Sequence, residues 1–296
     1  MEKFLKKLGY FSFGLILSFI MFFILGSHKQ KKTDLKENIG NPLFIWGDSQ
    51  IYQGLDLEVL KSQTNRIVFS SAEHGSGVYD FIIFTEMVPE SSDVLIAISE
   101  PVQIRSKKLD LNSSGFSYSS LKLLYNNNYS FQELFMIIRK NLFKTPNHIF
   151  SKNNKIYDFK DRTIIDYELL TSIEKTYNNF KPYIYDKQNL YIKGIDLLKK
   201  KSCTINLIEF PYHKLLHDKI KDSPNSAKTD LFFRKIINIT HCVSKDTMYL
   251  DSKKNSFFDL THLNAYGANN VTNFIVERLE VGVPKAFTIS NPNDDQ

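Results

Sequence analysis

A run of four apolar residues that stops abruptly at a tight turn limits the folds available to this chain. Leu43–Trp46 is followed at once by Gly47-Asp48-Ser49, and apolar residues then recur with polar partners as far as Leu57. This pattern predicts a buried strand, a sharp turn and the approach to a helix. Because open α/β sheets bind ligands beyond the carboxyl ends of their parallel strands, Ser49 is expected at a ligand-binding edge.

Strand and helix patterns alternate through most of the remaining sequence. Strands are predicted at residues 66–70, 93–99, 204–210 and 247–250, and helices at 53–62, 79–87, 227–239 and 265–279. The run DVLIAIS at 93–99 is apolar enough to be a central strand of a parallel sheet. Together these elements predict one α/β domain over residues 41–283, followed by a polar tail at 284–296.

The middle of the chain lacks strand patterns. Helical periodicity is found at residues 131–143, 163–180 and 190–201, separated by polar, asparagine-bearing stretches. We therefore expect a helical insertion at about residues 112–200, which covers one side of the active face. It serves either as a substrate-binding cap or simply as packing.

The first 40 residues differ from the rest. Three lysines, Lys3, Lys6 and Lys7, precede a run without charge at residues 10–26. This predicts a transmembrane signal anchor at 9–26, favoured over a cleaved signal peptide because residues 24–27 match a cleavage site poorly. A cytoplasmic segment at 1–8 and a polar tether at 27–40 flank it. Since long C-terminal domains translocate largely regardless of charge, the domain is expected on the extracytoplasmic side of a bacterial membrane.

Charge and metal-binding patterns exclude several classes of function. The net charge of +6 is spread along the chain in short clusters, which favours solvated faces over a nucleic-acid partner. His213 and His217 lie four residues apart but lack a third ligand, so no metal and no cofactor are expected. Cys203 and Cys242 have no metal-site spacing, and a disulfide or two buried thiols both fit the sequence.

Ser49 is a candidate nucleophile, and its candidate base lies near the other end of the domain. There Asp259 precedes His262 by three residues, immediately before the last predicted helix. That spacing lets the carboxylate fold back onto the imidazole, fix its tautomer and stabilise the imidazolium formed when it takes the serine proton. The second ring nitrogen would then face Ser49.

Acyl transfer also requires donors for the developing oxyanion. The backbone N–H of Ser49 is one candidate. The loop after the second predicted strand offers a second N–H at Gly75 or Gly77, where the missing side chain permits close approach, and Gly77 is the preferred choice.

Gly-Asp-Ser after the first strand and Asp-x-x-His before the last helix resemble the first and last signature blocks of the SGNH/GDSL hydrolases. These are serine esterases, lipases and acetyl-carbohydrate esterases. The resemblance implies a flavodoxin-like, three-layer α/β/α fold with a mostly parallel sheet. It also implies a Ser49, Asp259 and His262 triad, with Ser49 N–H and Gly75 or Gly77 in the oxyanion hole.

The third block departs from that family. Where it has an oxyanion-hole asparagine after the third strand, residues 98–103 read ISEPVQ, so Ser99 or Gln103 would have to donate instead. The expected function is hydrolysis or O-acyl transfer on acyl esters, such as acetylated cell-surface polysaccharide, by a membrane-anchored enzyme. The alternative is a catalytically inactive binding or scaffold protein of the cell envelope.

Overall fold

The computed structural model describes residues 41–72, 76–97, 118–126, 129–141, 166–179, 188–221, 226–242, 245–250 and 256–290, with Tyr10 and Gly14. The predicted anchor at 9–26 and its flanks at 1–8 and 27–40 lie outside the described residues except for those two. Within the described ranges, no helix is both long enough and apolar enough to cross a membrane.

The described strands form a six-stranded sheet in which every neighbouring pair is parallel. In chain order they are β1 (Leu43–Trp46), β2 (Val68–Ser70), β3 (Asp93–Ala97), β4 (Thr204–Glu209), β5 (Lys245–Tyr249) and β6 (Ala286–Ser290). In space the order is β2-β1-β3-β4-β6-β5. The predicted α/β class and parallel sheet are confirmed.

Helices connect these strands. In chain order the described helices are α1 (Ser49–Gly54), α2 (Leu57–Thr64), α3 (Val78–Met87), α4 (Tyr118–Tyr125), α5 (Phe131–Asn141), α6 (Asp166–Asn179), α7 (Gln188–Lys200), α8 (Lys214–Ile220), α9 (Ser226–Thr240) and α10 (Ala265–Arg278). The helix predicted at 53–62 is in fact two. Asp56 separates them because its carboxylate accepts hydrogen bonds from the first N–H groups of α2.

Successive side chains of β1 divide the core between the two faces of the sheet, because neighbouring residues of a strand point in opposite directions. Phe44 and Trp46 pack into an aromatic-rich cluster with α3, α7 and α9. Leu43 and Ile45 pack into a second cluster with α1, α2 and α10. The described helices therefore cover both faces of the sheet, and β1, buried on both sides, is an inner strand between β2 and β3.

The predicted helical insertion contributes to this core. Parallel neighbours such as β3 and β4 need a crossover connection, and α7 lies on it. Gly194 allows α7 to approach α3 closely, since a Cβ at that position would lie 2.5 Å from the Phe81 ring. The buried leucines Leu121 and Leu134 extend the same cluster onto α4 and α5. Each of these three helices thus buries apolar side chains in the core.

The sequence-based boundary at residue 283 is wrong. Residues 286–290, assigned to a polar tail, form β6, which lies between β4 and β5 in the sheet. Its apolar residues Phe287 and Ile289 are buried in the same cluster as Leu43. The apolar pattern of these five residues was too short to predict a strand beside a polar C-terminal stretch. They nevertheless form an inner strand of the sheet.

Candidate active site

Ser49 is the first residue of α1, one tight turn beyond the end of β1. A side chain at Gly47 would place its Cβ 2.2 Å from Ile51 Cγ2 and 2.8 Å from Ala97 Cβ, so the turn has room only for glycine. Asp48 caps α1 by accepting a hydrogen bond from the N–H of Gln50 at 3.0 Å. These contacts fix the direction in which the nucleophile helix leaves the sheet.

The structure brings the three predicted triad residues together. Ser49 Oγ lies 2.9 Å from Nε2 of His262, and Nδ1 of the same ring lies 2.7 Å from Asp259 Oδ2. His262 is only 19% exposed at its side chain, whereas Asp259 is 37% exposed. With Nδ1 protonated and donating to Asp259, Nε2 accepts the hydrogen bond of the Ser49 hydroxyl, which is the arrangement needed for general-base activation of a serine.

The Asp259 carboxylate is held by several donors. Oδ1 accepts hydrogen bonds from the backbone N–H of Thr261 at 2.7 Å, from its hydroxyl at 2.9 Å and from the backbone N–H of His262 at 2.8 Å. Burial by itself would raise the pKa of Asp259. The bond and charge of His262 and the two Thr261 donors outweigh burial and lower that pKa below its ordinary value. Asp259 is therefore kept as the anion that the imidazole requires.

The loop that carries Asp259 and His262 is a closed turn. Phe257 and Leu263 form an antiparallel bridge across it, and the N–H of Asn264 donates to the carbonyl of Ser256 at 3.0 Å. Asn264 then caps α10 by accepting from the N–H of Gly267. The last helix, α10, thus begins at the base of this turn, where the hydrogen bond from Asn264 to Ser256 joins the turn's two ends.

Two hydrogen bonds from neighbouring elements bind the tip of the loop that carries Asp259 and His262. The backbone N–H of His213, at the start of α8, donates to the carbonyl of Leu260 at 3.0 Å. The side-chain Nε2 of Gln50 donates to the carbonyl of Thr261 at 3.1 Å. Sequence reasoning missed both Gln50 and Thr261. Their adjacency to Ser49 and His262 was the available signal, and it does not say where the side chains point.

Of the residues predicted to form the oxyanion hole, only Ser49 and Gly77 lie among the described residues. The N–H of Gly77, at the start of α3, donates to Asp80 Oδ2 at 3.0 Å, so this N–H is committed to capping its own helix. Gly75, Ser99 and Gln103 lie outside the described residues. The Ser49 N–H lies in the first turn of α1, where backbone N–H groups have no intrahelical acceptor. It is the predicted donor that the described structure places at the site.

The other candidate ligands do not assemble into a metal site. In the ranges that the structure describes, no three His, Cys, Asp or Glu residues are grouped so that they could hold a metal ion. His213 instead caps α8, its Nδ1 accepting from the N–H of Leu215. Cys203 and Cys242 are free, half-buried thiols, and burial raises the pKa of each.

Comparison with protein-family models and with curated proteins finds no match to this chain. The resemblance to the SGNH/GDSL hydrolases therefore rests on residues 47–49 and 259–262 and on their order along the chain. The geometry adds that these two short segments, more than 200 residues apart, meet at one edge of the sheet.

Proposed function

We propose that this protein is a serine-dependent acyl-ester hydrolase or O-acyltransferase of the SGNH/GDSL type. One observation carries the proposal, namely the continuous chain of contacts from Ser49 Oγ through both ring nitrogens of His262 to Asp259. The strand order β2-β1-β3-β4 agrees with a flavodoxin-like sheet and supports the family resemblance. No step needs a metal or an organic cofactor.

The reaction has two halves. Ser49 Oγ attacks the carbonyl carbon of the ester while Nε2 of His262 takes the serine proton. The resulting tetrahedral intermediate collapses, its bond to the leaving alcohol breaks, and His262 returns the proton to that alcohol. Water or a sugar hydroxyl then attacks the Ser49 ester with His262 again as base, and the proton finally returns to Ser49. Asp259 orients the imidazole and stabilises its cationic form throughout.

The substrate class follows from the resemblance and from the N-terminal sequence. Uncharged residues 10–26 support a signal anchor with its N-terminus inside and the domain in the cell envelope. The strand that follows the tether, β1, begins at the edge of the sheet opposite to the one where Ser49 lies. By analogy with the SGNH/GDSL hydrolases, we propose acetylated cell-surface polysaccharide as the substrate. The uncharged N-terminal run makes the membrane the proposed anchoring partner, and the scattered charges support no nucleic-acid partner.

Turnover of 4-nitrophenyl acetate by the full-length protein in detergent tests the reaction. Ser49→Ala and His262→Ala, each checked for retained folding, should lose at least about a thousandfold in kcat, because neither residue can be replaced by its neighbours. Turnover that persists in both variants would count against Ser49 as the nucleophile.

A second candidate is a non-catalytic envelope protein on the same scaffold. Two observations favour it: the Gly77 N–H is engaged by Asp80, and residues 98–103 lack the family's asparagine. Losing one oxyanion donor lowers kcat by about a hundred- to a thousandfold in serine hydrolases. Labelling of Ser49 by a fluorophosphonate probe separates the candidates, because a binding protein would leave the probe unreacted while an active serine hydrolase run beside it is labelled.

A further inference from the structure

We propose that Gln50, the residue directly after the nucleophile, is a positioning residue that sets the distance between His262 and Ser49. This role rests on the proposed acyl-transfer function, because it concerns the position of the base His262 relative to the nucleophile Ser49. Its basis is a hydrogen bond from Gln50 Nε2 to the carbonyl of Thr261, which joins the helix of the nucleophile to the loop of the base.

The bonded carbonyl belongs to the peptide group that joins Thr261 to His262. In a trans peptide the C=O and the N–H point in opposite directions within one plane. Gln50 holds the C=O end of this group at 3.1 Å, and Asp259 Oδ1 holds the N–H end at 2.8 Å. With both ends bound, the peptide plane cannot rotate, and the His262 side chain leaves it in a fixed direction toward Ser49.

The burial of Gln50 supports a role beyond packing. The residue is only 4% exposed, yet its Oε1 has no hydrogen-bond partner among the residues that the structure describes. A buried acceptor without a donor lowers stability, and a methionine of similar length would avoid this penalty. A glutamine kept here for stability alone would thus be a poor choice, whereas its amide N–H donates to the Thr261 carbonyl and a methionine has no donor to replace it.

The two explanations predict different behaviour for Gln50→Met. If Gln50 only packs α1 against the loop, a methionine of similar length should pack equally well, and the variant should keep both its stability and its catalytic constants. If Gln50 positions His262, removal of its unpaired oxygen offsets the lost bond, and Tm should stay within about 3 °C of the wild type. Activity should then fall in a protein that is as stable as before.

The experiment compares the full-length wild type, Gln50→Met and Gln53→Met. Gln53 is a second buried glutamine of α1, one turn further along, and serves as the matched control. For Gln50→Met, kcat for 4-nitrophenyl acetate should fall about 10- to 100-fold with KM changed less than about threefold, since an error of about 1 Å in placement has that cost. Gln53→Met should keep the wild-type kcat. An unchanged kcat in Gln50→Met would overturn the proposal.

A crystal structure of Gln50→Met decides the point independently of activity. A Ser49 Oγ to His262 Nε2 distance beyond about 3.5 Å, with the Asp259–His262 contact intact, supports the positioning role. The wild-type distance of 2.9 Å retained in the variant would overturn it. If the wild type neither turns over the ester nor reacts with fluorophosphonate, the proposed function fails, and this distance still tests what Gln50 does.

Discussion

Asp259 binds His262 twice, through Oδ2 to the ring Nδ1 at 2.7 Å and through Oδ1 to the backbone N–H at 2.8 Å. The chain turns back over these few residues, since the N–H of Phe258 donates to the carbonyl of His262 at 2.8 Å. The acid–base pair is thus assembled by local structure. Its contact with Ser49, 213 residues away, depends on the whole fold.

The lowered pKa of Asp259 predicts how stability depends on pH. A carboxyl whose pKa is lower in the folded than in the unfolded chain stabilises the fold above its unfolded value of about 3.9, and loses this effect as the pH falls through the folded value. Asp259→Asn should therefore lower the free energy of unfolding at pH 7. The difference from wild type should shrink below about pH 4. Urea unfolding across this range measures it, and a difference independent of pH would contradict the charge argument.

The Thr261 hydroxyl is predicted to support the Asp259–His262 pair. It donates to Asp259 Oδ1 at 2.9 Å and lies 3.0 Å from His262 Nδ1. Thr261→Val keeps the shape but removes the hydroxyl, so the pKa of Asp259 should rise, and kcat should fall about tenfold, the equivalent of one lost hydrogen bond to a charged group. NMR titration of the Asp259 carboxyl and ester kinetics measure the two effects.

Thr261→Ser is the matched control, because it retains the hydroxyl and loses only a methyl group. It should keep both the Asp259 pKa and kcat close to those of the wild type. Equal losses in the valine and serine variants would assign the effect to the methyl group and would argue against the hydroxyl.

The Arg66–Asp93 ion pair is predicted to control stability without affecting catalysis. Arg66 Nη2 lies 2.7 Å from Asp93 Oδ2, and the side chains are only 7% and 2% exposed. Asp93 begins β3, at the edge of the sheet opposite to the site. Arg66→Met should lower the free energy of unfolding by about 3–5 kcal/mol because it leaves a buried carboxylate unpaired, while kcat at 20 °C stays the same.

The double variant Arg66→Met/Asp93→Leu tests this explanation. Replacing both charges by apolar groups removes the unpaired carboxylate, so most of the stability should return. Denaturant unfolding of the wild type, both single variants and the double variant gives the coupling energy. A double variant whose loss equals the sum of the two single losses would show that the two side chains stabilise the fold independently, and it would contradict the unpaired-carboxylate explanation.

The sequence predicted the parts of this protein whose signals are local. The apolar run before Gly47 and the run at 93–99 indicated buried parallel strands, and both lie side by side in the sheet. The Asp259–His262 pairing was also predictable, because three residues are enough for the carboxylate to reach the ring. In each case the pattern and the contact lie within the same short stretch of chain.

Features that depend on distant contacts could not be predicted in this way. The residues of β6 gain their burial from β4 and β5, and five residues near a polar end carry no such information. Gln50 reads as an ordinary helix residue until the fold places it beside Thr261. For Gly77, its own helix supplied the competing acceptor, since Asp80 three residues later takes the N–H that the sequence assigned to an oxyanion.

Gly267 is predicted to be essential for the close packing of α10 against the loop that carries Asp259 and His262. A Cβ at this position would lie 2.2 Å from the carbonyl oxygen of Ser256, a backbone atom that the Asn264 N–H already binds. Gly267→Ala must therefore push the base of the loop away from the helix. The free energy of unfolding should fall by about 1–3 kcal/mol, as for other overpacked sites, and kcat should fall with it because His262 is carried on the same loop.

Asn269→Ala, on an exposed position of α10, is the control and should stay within about 0.5 kcal/mol of the wild type. Denaturant unfolding and ester turnover measured on the same samples test both effects, and wild-type values for Gly267→Ala would mean that the loop is free to shift.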